Sequence, residues 1–181
     1  MQREEAKQLM EETIGNKNLQ KHMLAAEACM RALAAHFGED QESWAMAGLL
    51  HDLDYDQTVK DFGNHGRITA QMLEGKGISD GIIHAIKAHP GHVPAESKMD
   101  FALYAVDPLT GLIVAAALMH PTKKLANIDA GFILKRYKEK RFAAGANREQ
   151  IQSCDRLGLT LEQFVGIALA AMQGIAGDLG L

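Results

Sequence analysis

Apolar and polar residues follow one another along this chain mainly with the period of an α-helix. From Leu19 to Phe37 apolar or small side chains recur every three or four positions, and Gly38 ends the run. Similar runs follow Asp40 and Ser79, both typical helix N-caps. No stretch shows the sustained two-residue alternation of a half-buried strand. The pattern therefore predicts an all-α fold, a single compact bundle of about seven to nine helices spanning residues 1–181.

Three local patterns make more specific predictions. Asn64 is a plausible N-cap, so the pattern predicts a helix with His65 in its first turn. Pro108 disfavours helical geometry at the preceding residue, Asp107, and predicts a kink or a fresh helix start there. The basic run from Phe132 to Phe142 is predicted as one helix.

The most informative stretch is the end of the apolar run that begins after Asp40. It closes with four polar side chains within six positions: His51, Asp52, Asp54 and Asp56. An imidazole followed by a carboxylate offers one nitrogen and one oxygen ligand, a combination suited to a divalent ion. The pair alone is weak evidence, since a histidine at a helix end beside solvated acids is common. Asp54 and Asp56 fall in the loop after the helix, where a solvated acidic loop is favoured over a role in orienting ligands or carrying a proton.

Further potential ligands stand singly at the predicted helix edges, and together they form a recognisable order. The chain resembles the HD-domain metal-dependent phosphohydrolases, whose pattern is a lone His, a His-Asp pair and a later Asp. Members with two metals insert two more histidines before the last Asp. The residues that match this pattern are His22, His51, Asp52, His65, His89 and Asp107.

The resemblance implies an HD-like helical domain with its metal-site core at residues 19–120 and a C-terminal helical extension at 121–181. It implies that His22, His51, Asp52 and Asp107 hold one divalent ion and that His65 and His89 recruit a second, with Asp52 between them. The ion would be Fe, Mn, Mg, Zn or Ni. It further implies catalytic roles for Asp52 and Asp54 in attack by an activated water on a small phosphorylated substrate, expected to be a nucleotide. The spacing of His65 and His89 is similar to that in enzymes that cleave dinucleoside polyphosphates.

Several basic or imidazole side chains are weak candidates for contacts to the substrate phosphate, because charge on phosphate oxygens needs cationic partners. An ordinary solvated position is the competing interpretation for each of them. They are Arg67, His92, Lys123, Arg136 and Arg141.

Composition narrows the class of partner. A formal net charge of -4 argues against binding to a nucleic acid duplex, which needs a broad basic surface. The chain opens on a charged segment rather than an apolar leader, and its longest apolar run, 112–119, is shorter than the roughly 20 residues that span a bilayer. Cys29 and Cys154 are too few for a disulfide framework. We therefore expect a cytoplasmic protein without a membrane partner, and a homodimer is a candidate assembly.

Two alternatives stay open at this point. The ligand set can serve a nucleotide-binding sensor or regulatory HD module that does not turn its ligand over. The histidines can also be incidental features of an interaction module, in which case removal of His51 would change neither metal content nor thermal stability.

Overall fold

The computed structural model describes every residue from Met1 to Leu181 and contains no β-strand. The all-α prediction is confirmed, but the predicted count of seven to nine helices was too low, because several one- or two-turn helices lie between the long ones. The eleven α-helices are α1 (Arg3–Thr13), α2 (Lys17–Phe37), α3 (Gln41–Leu50), α4 (Tyr55–Thr58), α5 (Arg67–Met72), α6 (Asp80–Ala88), α7 (Lys98–Met119), α8 (Ala130–Tyr137), α9 (Arg148–Gln152), α10 (Leu161–Gly174) and α11 (Ala176–Leu179). Short 3-10 turns lie at Phe62–Asn64, Leu125–Asn127 and Ser153–Leu157.

The helix ends follow local chemistry. The side chain of Asn16 accepts hydrogen bonds from the backbone at the start of α2, and Asp40 does the same for α3. Gly38 ends α2 in the left-handed conformation that glycine adopts without strain. Thr160 and Gln163 form a reciprocal capping box at α10, as their spacing indicates. These caps satisfy backbone groups that the helices leave unpaired.

The two longest helices, α2 and α7, form the centre of the molecule. The α2 helix packs against α3, α7 and α10, while α7 also packs against α6, α8 and α9. Nearly all the buried apolar side chains form one contiguous cluster that extends from Ala6 in α1 to Leu179 in α11. This continuity supports our proposal that residues 1–181 form one domain.

Helix α7 does not break at Pro108. The helix is continuous from Lys98 to Met119, so the predicted fresh start at Asp107 was wrong. By length and composition α7 is the one single helix apolar enough to cross a membrane, yet 56% of its most apolar stretch is buried inside the molecule. The segments 148–157 and 161–174 pass the same test only as a pair, bent by 101°. Burial on this scale is also what a central core helix shows.

The predicted basic helix is shorter than its sequence pattern indicates. It ends at Tyr137, and the residues that follow form turns. The Arg148 guanidinium donates to the carbonyl groups of Phe142, Ala143 and Ala146, which satisfies the backbone of these turns without helical hydrogen bonds.

Candidate metal centre

Close packing of α2 against α3 places the first part of the site. A Cβ atom on Gly48 of α3 would lie only 2.6 Å from the carbonyl oxygen of Ala26 in α2, so only glycine fits this contact. The contact brings the second turn of α2 beside the end of α3. As a result, His22 Nε2 lies 3.1 Å from His51 Nε2.

Helix α7 delivers Asp107 to the same place. Its Oδ1 atom lies 3.2 Å from His22 Nε2 and 3.9 Å from His51 Nε2. Atoms bound at about 2.0–2.2 Å to one ion lie roughly 3 Å or slightly more apart. The spacing therefore fits one ion held by these three side chains.

A second glycine contact places His65. Gly66, at the start of α5, has a φ of 75°, and a Cβ there would lie 2.6 Å from the carbonyl oxygen of Ile86 in α6. His65 is consequently next to His89 at the end of α6, with 3.1 Å between their Nε2 atoms. The predicted helix cap at Asn64 was wrong: Asn64 ends a 3-10 turn, Gly66 precedes α5, and His65 lies outside the helix.

Asp52 lies between the two histidine pairs and offers one carboxylate oxygen to each. Its Oδ2 atom is 3.5 Å from both His22 Nε2 and His51 Nε2. Its Oδ1 atom is 3.2 Å from His65 Nε2 and 3.5 Å from His89 Nε2. One carboxylate thus connects two groups of donor atoms.

The other ring nitrogen of each histidine is held by a hydrogen bond. His51 Nδ1 donates to the carbonyl oxygen of Gly48 at 2.8 Å, and His89 Nδ1 donates to that of Ile86 at 2.6 Å. Because a carbonyl oxygen only accepts, Nδ1 carries the proton in both rings. In the neutral rings the Nε2 lone pairs therefore point into the site.

His22 and His65 are held in the same way by side chains. The Thr110 hydroxyl donates to the Asp107 carbonyl, so it accepts from His22 Nδ1 at 2.8 Å. His65 Nδ1 is 2.7 Å from Asp54 Oδ1. If both rings of a histidine pair were neutral and held like this, their Nε2 lone pairs would face each other with the two nitrogens about 3 Å apart. A bound cation or an added proton relieves the resulting repulsion.

Burial and hydrogen bonds to neighbouring carboxylates shift the pKa values of three of these histidines. Burial lowers the pKa of His51 to about 4. Burial also disfavours a charged His22, but its hydrogen bonds to Asp107 and Asp52 outweigh this and raise its pKa to about 10. His65 is likewise desolvated, and its bonds to Asp52 and Asp54 raise its pKa to about 9. The ring with the low pKa stays neutral, and the other two attract a proton when no ion is bound.

The pKa values of the carboxylates in the site are lowered, whereas those of His22 and His65 are raised. Although burial favours the neutral acid of Asp52, the neighbouring His51 and hydrogen bonds from His22, His65 and His89 hold the pKa of Asp52 well below its usual range. Burial works against the charge of Asp107 too, and the hydrogen bond from His22 lowers the pKa of Asp107. The site therefore keeps its carboxylates ionised, as oxygen ligands must be.

Asp54 does not lie in a solvated loop, so that expectation was wrong. Its side chain is fully buried, with Oδ1 against His65 Nδ1 and Oδ2 accepting from the backbone of Thr69 at 2.9 Å. Burial opposes its charge, but these hydrogen bonds lower the pKa of Asp54. Asp56 is exposed, as expected. The geometry suits Asp54 to orienting His65, and its buried carboxylate cannot touch a substrate.

The weak phosphate candidates are scattered. Arg136 is paired with Glu139, and Arg67 lines a different surface cavity. Lys123 and Arg141 are exposed in turns. The structure shows none of these four in contact with the histidine cluster.

His92 is the one phosphate candidate at the margin of the site. Its Nε2 donates to the Phe62 carbonyl at 2.6 Å, and the Phe62 ring lies 5.1 Å from that of His65. His92 is therefore linked to the site only through Phe62.

Some residues of the site carry no strong sequence signal. No sequence pattern distinguishes Thr110 and Thr69 from other helix residues. Their hydrogen bonds to His22 and Asp54 exist only because the fold places them there. Lys21 precedes His22 and lines the cavity next to it.

An all-α fold with two linked His/Asp groups, able to hold a divalent ion, defines the class of protein to which this chain belongs. The HD domain family matches residues 19–117, and the chain belongs to that family. Both the helical fold and the family membership agree with the sequence-based predictions.

Several ribonucleases Y are similar to this chain. The chain is 31% identical to Ribonuclease Y of Sulfurovum sp. (strain NBC37-1) over 136 residues, which is 74% of this chain and 27% of that protein. It is 31% identical to Ribonuclease Y of Oleidesulfovibrio alaskensis over 147 residues, 78% of this chain and 28% of that protein. The chain thus spans about a quarter of the length of these relatives. No solved structure matches.

Proposed function

We propose that the protein is a metal-dependent phosphohydrolase that cleaves a phosphate ester or phosphoanhydride, with a nucleotide as substrate. The observation that carries the proposal is the convergence of four histidine Nε2 atoms on the two oxygens of Asp52, each ring being held through Nδ1. Incidental histidines would have no reason to share this orientation.

The side chains divide between two ions. His22, His51, Asp52 and Asp107 would hold the first, and His65 and His89 would hold the second together with Asp52. The mixture of imidazole nitrogen and carboxylate oxygen suits Mn, Fe or Zn, and Mg or Ni are further candidates. A divalent ion in such a site supplies a Lewis acid that acidifies water and neutralises charge on phosphate oxygens.

The protein's own groups orient this chemistry. Asp54 fixes the tautomer and direction of His65, and Thr110 does the same for His22. Asp52 remains ionised and contributes directly at the reacting centre. The buried cysteines Cys29 and Cys154 are compatible with the cytoplasmic location that we propose. The homodimer stays a prediction.

Cleavage of RNA is a second candidate, because two relatives that are 31% identical to this chain are named Ribonuclease Y. The net charge of -4 does not favour a long polyanion, and the chain covers only about a quarter of those proteins. We therefore place a small nucleotide first and RNA second, with a nucleotide sensor without turnover as the third possibility.

The test combines metal analysis with a substrate panel. Protein stripped with a chelator is reloaded with Mn, Fe or Mg and assayed with 5′-mononucleotides, a dinucleoside polyphosphate, a single-stranded RNA oligonucleotide and a generic phosphate ester. We expect one to two ions per chain and phosphate release from the small substrates. His51→Ala should lose at least one ion and more than 100-fold in kcat/KM, since it removes a buried ligand.

The matched control is His36→Ala, which removes an exposed histidine from the far end of α2. It should retain metal content and activity. Protein that takes up metal and still hydrolyses no member of the panel would exclude a phosphohydrolase, and tight nucleotide binding in that case would favour the sensor. Products from RNA alone would favour the ribonuclease.

A further inference from the structure

A cavity of about 410 Å³ lies directly beside His22. One wall comes from α2, with Asn18, Lys21 and His22 itself, and another from the second half of α7. The third wall is residues 179–181, which lie outside the part of the chain that matches the HD domain family. The cavity is therefore shaped partly by a segment that the family pattern does not describe.

The cavity shares His22 with the candidate metal centre, and His22 is one of the two partly exposed side chains of that centre. The side chains of His22 and Asp107 are 21% and 29% exposed, whereas His51 and His89 are completely buried and His65 is nearly so. A phosphate group must therefore approach the site from the side of His22 and Asp107. The remainder of a substrate whose phosphate lies at His22 can extend into the cavity.

The walls suit an organic group rather than a second phosphate. Val114, Leu118, Leu179 and Leu181 provide apolar surface. Leu118 is 50% exposed, although burying a leucine side chain is worth about 1.5–3 kcal/mol. A volume of about 410 Å³ falls within the roughly 300–1,000 Å³ of small-molecule sites.

The ammonium group of Lys21 lies at the edge of this apolar cavity. Lys21 Nζ lies close to Gly180, since a Cβ atom there would be 3.0 Å from it. No carboxylate oxygen lies within 4.0 Å of this ammonium group. An ammonium without an ion-pair partner beside the exposed ligand His22 is well placed to attract a phosphate oxygen.

We propose that this cavity binds the nucleoside part of a mononucleotide substrate, that residues 179–181 limit its size, and that Lys21 contacts the phosphate. The proposal rests on the phosphohydrolase function above and narrows its substrate to a phosphate with one nucleoside-sized organic group. It adds a specificity site to a metal centre that by itself recognises only phosphate.

Gly111→Leu tests the cavity without threatening the fold. Gly111 lines the cavity on α7, a Cβ there meets no atom within 4 Å, and replacing a helical glycine usually stabilises the helix. With metal-loaded protein we expect the KM for 5′-AMP, GMP, CMP or UMP to rise at least tenfold. The inhibition constant of inorganic phosphate, which does not need the cavity, should change less than twofold. Lys21→Met should instead weaken both.

The matched control is Gly166→Leu, in α10, where a Cβ also meets no atom within 4 Å and which does not line this cavity. It should change neither constant. An unchanged nucleotide KM in Gly111→Leu, or an equal loss of nucleotide and inorganic phosphate, overturns the cavity proposal and leaves the phosphohydrolase function standing.

If no phosphate ester is hydrolysed, a binding measurement tests whether the cavity binds the nucleoside part of a mononucleotide. Methyl NMR of the Mg-loaded protein should show shifts at Val114 and Leu118 on addition of a mononucleotide but not of inorganic phosphate. Their absence overturns the cavity proposal, whereas the absence of turnover by itself counts only against the phosphohydrolase.

Discussion

The imidazole of His65 depends on Asp54 for its orientation. The Asp54 carboxylate accepts from His65 with one oxygen and from the Thr69 backbone with the other, entirely out of contact with solvent. Removing its charge leaves the shape of the side chain and weakens the charge-assisted bond that keeps the proton on His65 Nδ1. The residue acts on the site through His65.

We expect Asp54→Asn to lower the affinity for the second ion by roughly 10–100-fold while the first ion stays bound. Metal titration followed by elemental analysis measures both affinities. Asp56→Asn is the matched control, since Asp56 is exposed two positions later, and it should bind both ions as before. Equal loss of both ions in Asp54→Asn would show that the residue supports the fold rather than His65 alone.

For single residues, the sequence predicted which side chains cluster but not the hydrogen bonds that orient them. The order of His22, His51, Asp52 and Asp107 is a pattern in the chain, so resemblance to a family was enough to find it. The bond from Thr110 depends on which turn of α7 faces α2, and no short-range pattern contains that information. Asp54 was misplaced for a related reason: an acidic loop after a helix is usually solvated, and here the bond to His65 compensates its burial.

Among the helices, the contact between α2 and α3 decides whether the first part of the site forms. Any side chain at Gly48 would meet the backbone of Ala26 and Glu27 at 2.6–2.8 Å, and backbone cannot move aside as a flexible side chain can. Since His22 and His51 lie on these two helices, separating the helices also separates the ligands.

Gly48→Ala should therefore reduce the free energy of unfolding by about 1–3 kcal/mol, as overpacking of a core does, and also weaken metal binding. Chemical denaturation and metal titration measure the two effects. Gly166→Ala, in a helix where a Cβ has open space, should be neutral or stabilising by up to about 1 kcal/mol. A stable Gly48→Ala protein with normal metal affinity would contradict the account of this contact.

Helix positions were predicted well where caps are local and poorly where distant groups intervene. Asp40 and Thr160 cap their helices as their spacing indicates. Pro108 is tolerated inside α7 because that helix is packed against several others, and tertiary burial outweighs the hydrogen bond that proline removes. The end of α8 at Tyr137 depends on Arg148, which belongs to the next helix.

For the molecule as a whole, we expect ion binding at the proposed site to increase stability, because the proposed ligands come from several helices and the segments between them. Without an ion, His22 and His65 have pKa values of about 10 and about 9, above the unfolded value near 6.5. Their contribution to stability is fully present below pH 6.5 and is lost as the pH rises through 9 and 10. His51 has a lowered pKa of about 4, so its contribution is present above pH 6.5 and is lost as the pH falls through 4. The ion-free protein should therefore be most stable near or somewhat below pH 6.5.

An ion requires free Nε2 atoms on His22 and His65, so below about pH 9 it must displace the protons that these rings attract. We therefore expect the difference in Tm between Mg- or Mn-loaded and chelator-treated protein to grow from pH 6.5 to pH 8.5. Calorimetric titration in buffers of different ionisation enthalpy should show proton release on binding. His36→Ala should behave like the wild type, whereas His51→Ala should show less ion-induced stabilisation than the wild type at both pH values. An ion-induced Tm shift of the same size at pH 6.5 and pH 8.5 would mean that these histidines do not exchange protons for the ion, and they would then not be its ligands.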